Sequence, residues 1–412
     1  MNETLKKIFS TRMLAMLLVG YSAGLPLLLI GSTLQAWMSD EGVDLTAIGL
    51  VSLLGLPYVF KFLWAPLLDR FKLPFFSRRK GWMLCFQLLL VLSIFGLSQT
   101  NPKTDLNMVC VWAFLIACFS ASQDIVLDAY RREILPDEEL GLGSSLYVTG
   151  YRLAMLISGA LALYLADTIP WKNVYQWLSL FMAPSIIFTI FAPKENVHIP
   201  IPSNLKEAVV GPLKDFFSRR GAWIMLLFIM LYKVGDNMAS NMTTPFILDI
   251  GYSKTDIATV AKTFGMIATI MGGIIGGMMM LKMNIKFALV VFGIFQAIST
   301  LGFSVLPNFE VSFFALASVI ALENLASGMG TSAYSAYMAT LTNKQFTATQ
   351  YALLSALMGV PRVILSSPTG WMAKSMGWEM FFFACTAAAL PGLLLLIPVF
   401  RLSKEPVPKA TT

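Results

Sequence analysis

The sequence predicts an all-α integral membrane protein: twelve transmembrane helices in two pseudo-symmetric six-helix halves. Three observations predict it. The 412 residues are 57% hydrophobic and only 13% charged, with a mean hydropathy of +0.70, whereas soluble domains run near 25% charged. The apolar residues lie in blocks of about 20 or more, the length that crosses a bilayer core. A polar stretch then divides the chain near its middle into portions of almost equal length. Solid apolar runs exclude a soluble multidomain enzyme and a disordered chain. They also exclude a porin-like barrel, whose strands alternate over about 10 residues.

The apolar segments fall at 13–38, 45–68, 81–99, 106–130, 142–166, 173–192, 222–248, 256–281, 286–306, 311–339, 346–373 and 378–400. The first exceeds the apolar core of a signal peptide, about 7–15 residues, and no small-x-small cleavage site follows, so it reads as a retained helix. Boundaries of 1–192 for the first half, 193–220 for a linker and 221–412 for the second half with a short tail follow from this layout. A faint internal echo supports the division: Tyr130 and Arg152 in the first half, Tyr337 and Arg362 in the second. Repeated six-helix halves are a common plan of secondary transporters. In the linker, Leu205, Ala208, Val209, Leu213, Phe216 and Phe217 recur at helical spacing after Asn204 and Glu207. The pattern predicts a capped amphipathic helix lying at the membrane interface.

Lys and Arg set the expected orientation. Loops on one side carry twenty-one of them, and those on the other side only Lys103, Lys172, Lys254 and Lys374. Both termini are therefore expected in the cytoplasm, and the formal charge of +7 is a topology signal rather than a mark of nucleic-acid binding.

Several chemistries lack their residues. The single histidine, His198, lies in a polar segment, which excludes His-based zinc sites and hydrolytic triads within the membrane. Cys85, Cys110, Cys118 and Cys385 show no C-x-x-C spacing and read as small buried hydrophobes. No phosphate-binding loop is present: the string from Gly141 to Ser145 lacks the necessary lysine. No cofactor, metal or enzymatic activity is expected. A membrane-embedded enzyme would need a catalytic carboxylate beside a sizeable soluble loop, and the longest inter-span segment is the 193–220 linker; a receptor or scaffold without transport is a third class.

Away from the span ends nine charges remain: Lys61, Arg152, Lys233, Lys262, Arg362, Asp124, Asp128, Asp236 and Glu323. Isolated in a bilayer they would cost roughly 20–30 kcal/mol together, so they must face one another or a water-filled cavity. Arg152, Lys233, Asp236, Glu323 and Arg362 fall near the midplane. Lys61, Asp124 and Asp128 fall in the cytoplasmic half, and Lys262 in the outer half. Asp124 and Asp128 are four apart and share one helix face. A carboxyl poised between a like charge and a cation can take up a proton on one side and release it on the other. A static ion-pair clasp is the alternative, and Lys233 with Asp236, three apart, forms a natural pair. At the same levels lie Gln123, Tyr147, Tyr151, Tyr232, Asn237, Asn241, Asn324, Tyr334 and Tyr337, with rings to stack on a glycan and amides to hydrogen-bond a peptide. Most such aromatic residues are nonetheless packing or interface residues. Glycines at 272, 273, 276, 277, 328 and 330 predict close helix approach, and Pro57, Pro66 and Pro361 predict kinks.

These residues carry a resemblance. The run from Asp69-Arg70 to Arg78-Arg79-Lys80 resembles the D-R-x-G-R-R loop of the major facilitator superfamily, with Ala65 in place of the leading glycine and a longer loop. The strings GLPLLLIGSTLQAWM (24–38), KFLWAPLLDR (61–70), SASQDIVLDAY (120–130), GYRLAMLISG (150–159) and LYKVGDNM (231–238) resemble AmpG-type muropeptide permeases. The resemblance implies a major facilitator fold in a Gram-negative inner membrane. It also implies monomeric, proton-driven import of N-acetylglucosaminyl-1,6-anhydro-N-acetylmuramyl peptides for peptidoglycan recycling, which feeds β-lactamase induction in some bacteria. The acetyl-CoA transporter family is a related resemblance, and both substrates are anionic. On this reading Arg152, Lys233, Arg362 and Lys61 meet substrate, with Gln123, Tyr151, Tyr232, Asn237 and Asn324 beside them. Asp124, Asp128, Asp236 and Glu323 are the proton-coupling candidates, and Asp69, Arg70, Arg78 and Arg79 form a cytoplasmic gate.

Overall fold

The computed structural model describes residues 10–43, 51–74, 76–195, 204–252, 256–308, 311–364 and 368–402. Among them every regular element is helical. Helices occupy all twelve segments expected from hydropathy, and nine among the described residues are long and apolar enough to cross a membrane. In chain order the elements are α1 Thr11–Asp40, α2 Leu53–Leu63, α3 Ala65–Arg70, α4 Arg78–Ser98, α5 Leu106–Ile134, α6 Asp137–Ala166 and α7 Trp171–Phe191. The linker helix α8 Leu205–Phe217 follows, then α9 Ala222–Asp249, α10 Gly265–Met279, α11 Ile285–Asn308, α12 Phe313–Thr340, α13 Thr347–Ile364 and α14 Thr369–Leu402.

The interruptions have local causes. The second span is split: a 3-10 turn at Lys61–Leu63 separates Leu56–Phe60 from α3, and Pro57 and Pro66 each stand in the first turn of the helix that follows. Proline lacks the amide proton that an interior position needs, and the first turn is where that loss costs least. In α14, Gly377 adopts φ 77° and ψ 164°, a backbone region that suits glycine. This break separates the end of the eleventh span from the twelfth. Span seven is discontinuous too: Ala222–Leu231 stops, and a new helix starts at Val234 after Tyr232 and Lys233.

The chain forms two compact units, Met1–Val210 with Thr342–Leu353, and Gly211–Leu341 with Leu354–Thr412. In the first, α1 packs along α6 at backbone contact. A Cβ on Gly20 would lie 1.9 Å from the carbonyl oxygen of Tyr147, and one on Gly150 would lie 1.9 Å from that of Leu17. Trp37, Trp171 and Tyr175 stack beside Leu29, Leu90 and Ile94 in its apolar core. In the second unit, α10 and α12 cross in the same way: a Cβ on Gly272 or Gly328 would meet a carbonyl oxygen of the facing helix at 2.1 Å. Of the glycines predicted to let helices approach, Gly272 and Gly328 do so at backbone contact, in place of large side chains. Phe246, Phe303, Phe381 and Phe382 form the aromatic part of this unit's core. Outward-facing residues such as Leu92 and Phe314 stay exposed, as lipid-facing positions do.

The linker helix α8 starts where the capping residues are. Asn204 Oδ1 accepts from the Glu207 amide at 2.8 Å, which satisfies one of the orphan N–H groups of the first turn. Ala208 and Phe216 are buried, while Val209, Val210, Leu213 and Phe217 are exposed.

Candidate functional site

In the first unit, α5 carries the site because its apolar stripe is interrupted by carboxylates one turn apart. Lys61, in the 3-10 turn of the second span, places Nζ 3.7 Å from Asp124 Oδ2. Asp124 Oδ1 is buried and meets no protein hydrogen-bond partner among the described residues. Asp128 pairs instead with Arg131, Oδ1 to Nη2 at 3.2 Å. The guanidinium of Arg131 lies 4.5 Å from the ring centroid of Tyr147 and 5.1 Å from that of Tyr351, and Nη2 donates to the Tyr351 hydroxyl at 2.5 Å. The two carboxylates therefore share a face, as their spacing predicts, yet answer to different cations. Arg131 belongs with the loop cations by hydropathy, but α5 runs on to Ile134, and Arg131, Arg132 and Glu133 are buried in its last turn.

In the second unit, the break in span seven positions the charges. Lys233 occupies the interruption, and Asp236 lies in the first turn of the helix beyond it. Lys233 Nζ stands 2.9 Å from Asp236 Oδ2 and donates to Gln296 Oε1 of α11 at 3.3 Å. From α12, Ser327 Oγ donates to Asp236 Oδ2 at 3.4 Å, and Glu323 is buried one turn earlier on the same helix. Lys233 and Glu323 are 9% and 6% exposed. At such burial a charge has to be neutralised by its neighbours.

Other expected substrate contacts are spent on helix packing here. Gln123 is fully buried, its Nε2 donating to the Ser22 carbonyl at 2.9 Å. Tyr232 donates to the Leu289 carbonyl at 2.9 Å and stacks on Tyr334. Asn324 bonds Thr269 and the Ile320 carbonyl, both at 2.9 Å. Tyr151, Arg152 and Asn237 are half-buried. Arg362 lies in α13 and Lys262 precedes α10, but both side chains, like His198, fall outside the described residues.

The expected gate residues form a second charged cluster in the first unit. Arg79 is fully buried; its Nη2 lies 2.7 Å from Asp69 Oδ1 and 2.6 Å from Glu133 Oε1. Arg78 Nη2 reaches the same Glu133 oxygen at 2.9 Å. Asp69 also accepts from the amides of Ala348 and Thr349 at 3.3 and 2.9 Å, and from the Thr349 hydroxyl at 2.7 Å. It thus caps the N-terminus of α13 from a distant part of the chain. Arg70 stands apart, over the Phe71 ring at 5.9 Å. Glu195 secures the start of α4, accepting from the Arg79 amide at 2.7 Å and from Ser77 Oγ at 2.5 Å. Sequence reasoning missed Glu133, Glu195, Arg131, Thr349 and Tyr351. For Glu133 the available signal was its place beside two arginines at the end of a long helix.

Buried ion pairs beside interrupted membrane helices are the arrangement that marks a solute pathway through a membrane protein. Known proteins agree. Residues 12–366 match the family described as Major Facilitator Superfamily. The anhydromuropeptide permease of Escherichia coli strain K12 is 45% identical over 400 residues, spanning 96% of this chain and 82% of that protein. Among solved structures, the major facilitator transporter FucP in its outward conformation aligns at a TM-score of 0.70 with 12% identity, covering 94% of this chain and 99% of that one. The proton:xylose symporter XylE aligns at 0.68 with 12% identity over 96% of both chains. The chain is a multi-pass membrane transporter of the major facilitator superfamily, not an enzyme, and within it belongs to the AmpG-type family of muropeptide permeases.

Proposed function

We propose that the protein imports N-acetylglucosaminyl-1,6-anhydro-N-acetylmuramyl peptides together with protons, from periplasm to cytosol, for peptidoglycan recycling. The observation that carries this reading is the 45% identity to an anhydromuropeptide permease along nearly the whole chain. The protein acts as a monomer in the inner membrane of a Gram-negative cell, with both termini cytoplasmic, as the cation bias of the loops requires. Halves comprising residues 1–192 and 221–412, joined by the 193–220 linker, rock in alternating access around the charged residues. Lys61, Lys233, Arg152 and Arg362 receive the carboxylates of the stem peptide. Asp124, Asp128, Asp236 and Glu323 supply proton carriers, and Asp69 with Arg78 and Arg79 latches the cytoplasmic side.

The acid residues are tested by substitution. Asp124→Asn, Asp236→Asn and Glu323→Gln proteins are reconstituted, and uptake of labelled anhydromuropeptide is measured with and without a protonophore. At least one variant is expected to lose the protonophore-sensitive part of uptake, a fall of tenfold or more. Gradient-dependent uptake unchanged in every variant would remove the carboxylates from the coupling mechanism.

A further inference from the structure

Within the second unit, the last two turns of α8 direct apolar side chains outward. Pro212 and Phe216 are buried. Arg219 fixes that side: its guanidinium carbon lies 5.5 Å from the Phe216 ring centroid, and it donates to the Asp215 carboxylate and to the Leu341 carbonyl just past α12. Leu213 and Phe217, one turn apart on the neighbouring face, are 41% and 40% exposed. Gly221, at φ 83°, then turns the chain into α9. There the Trp223 ring centroid lies 4.9 Å from that of Phe217, while Trp223 remains 73% exposed and Leu227 carries the exposed strip one turn further. Because α9 is long and apolar enough to cross a membrane, the strip on α8 is continuous with the outer face of a span.

Cations border this strip. Lys214 and Arg220 are exposed. Arg401, at the end of α14, reaches the same level through the antiparallel packing of α9 and α14. A Cβ on Gly392 would lie 2.7 Å from Tyr232 Cα, and one on Gly235 would lie 2.4 Å from the Cys385 carbonyl oxygen. Trp223 stands nine residues before Tyr232 and Arg401 nine after Gly392, so both come to one end of the helix pair. Lys286, at the start of α11, places Nζ 6.0 Å from the Phe400 ring centroid beside it. Residues 211–223 and 395–402 contain a single acid, Asp215, and Arg219 pairs with it.

We propose that this surface binds anionic phospholipids of the leaflet on the linker's side. Leu213, Phe217 and Trp223 enter the boundary of the acyl chains, while Lys214, Arg220 and Arg401 take the phosphate headgroups. A tryptophan ring suits that depth, apolar in its body and a donor at its edge. Each Lys or Arg beside an anionic membrane surface contributes about a fivefold factor in affinity, and the apolar strip fixes where the cations sit. The bilayer is favoured over a protein partner because the strip runs on without interruption onto the outer face of α9. Lipid held there ties the C-terminal end of the linker to the membrane. Such a surface depends neither on the direction of transport nor on the substrate.

The full-length protein is tested in bilayers of mixed phosphatidylglycerol and phosphatidylcholine, one or the other brominated so that it quenches nearby tryptophan. The chain holds nine tryptophans, so the share of Trp223 is read as the difference between wild type and Trp223→Phe. That share is expected to show at least about a fivefold preference for phosphatidylglycerol, falling by at least about half in roughly 0.5 M salt. In the triple variant Lys214→Gln, Arg220→Gln, Arg401→Gln, measured the same way, the preference is expected to vanish while melting stays unchanged. No preference in wild type, a preference that salt leaves intact, or a full preference in the triple variant overturns the proposal. So does a Trp223 share that neither lipid quenches, the result expected if a second copy of the chain covers this face. Wild type and Trp223→Phe decide the matter where the triple variant fails to fold.

Discussion

Arg79→Ala is expected to destabilise the protein by about 3–5 kcal/mol, the usual cost of removing one partner from a buried charge cluster. The guanidinium is fully buried. Its Nε and Nη2 both donate to Glu133 Oε1, at 3.0 and 2.6 Å, while Nη1 holds the Leu68 carbonyl at 3.0 Å. Without it, the Asp69 carboxylate retains, among the described residues, the amides and hydroxyl at the start of α13, and Glu133 retains Arg78. Arg79→Lys recovers part of the loss at most, because a point charge cannot span Asp69, Glu133 and the Leu68 carbonyl together. Thermal melting and the yield of monodisperse protein in detergent measure the effect. Wild-type melting in Arg79→Ala would show that the cluster contributes little to the fold.

The second large effect is expected at Lys61 and Asp124, and a double-mutant cycle separates clasp from carrier. Asp124→Leu alone strands Lys61, which is 6% exposed, as a buried cation. Lys61→Met alone leaves Asp124 without the ammonium now 3.7 Å away. Either single change should cost about 3–5 kcal/mol, whereas the double Lys61→Met, Asp124→Leu should recover most of it, since apolar pairs often replace buried ion pairs at no loss. Under the import reading the double variant folds and does not transport. A double variant that melts like wild type and imports at the wild-type rate would reduce the pair to a structural clasp.

These two clusters differ in how well the sequence foretold them. Hydropathy placed the helices found among the described residues, because bilayer crossing depends on composition over about 20 residues. The cost of a buried charge singled out Lys61, Asp124, Lys233, Asp236 and Glu323 for the same reason, and helical spacing paired Lys233 with Asp236. Contacts between distant parts of the chain were illegible. Asp69 and Thr349 are 280 residues apart, and nothing in either local pattern says that one caps the helix of the other. Arg131 was hidden differently: a hydropathy window ends a span at the first cluster of charges, whereas α5 continues through it by pairing those charges internally. Gln123, Tyr232 and Asn324 show the converse. Their chemistry suits a ligand, but the carbonyls at helix crossings compete for the same hydrogen-bonding atoms, and only coordinates reveal which partner a side chain has.

The most direct measurement of the central claim is uptake by proteoliposomes holding the purified protein, under an imposed inward pH gradient, of a defined set of anhydromuropeptides and their non-anhydro analogues. Accumulation of the anhydro forms above the external concentration, abolished by a protonophore and absent without the gradient, is the predicted result. No uptake of any muropeptide, or uptake that ignores the gradient, would contradict proton-coupled import.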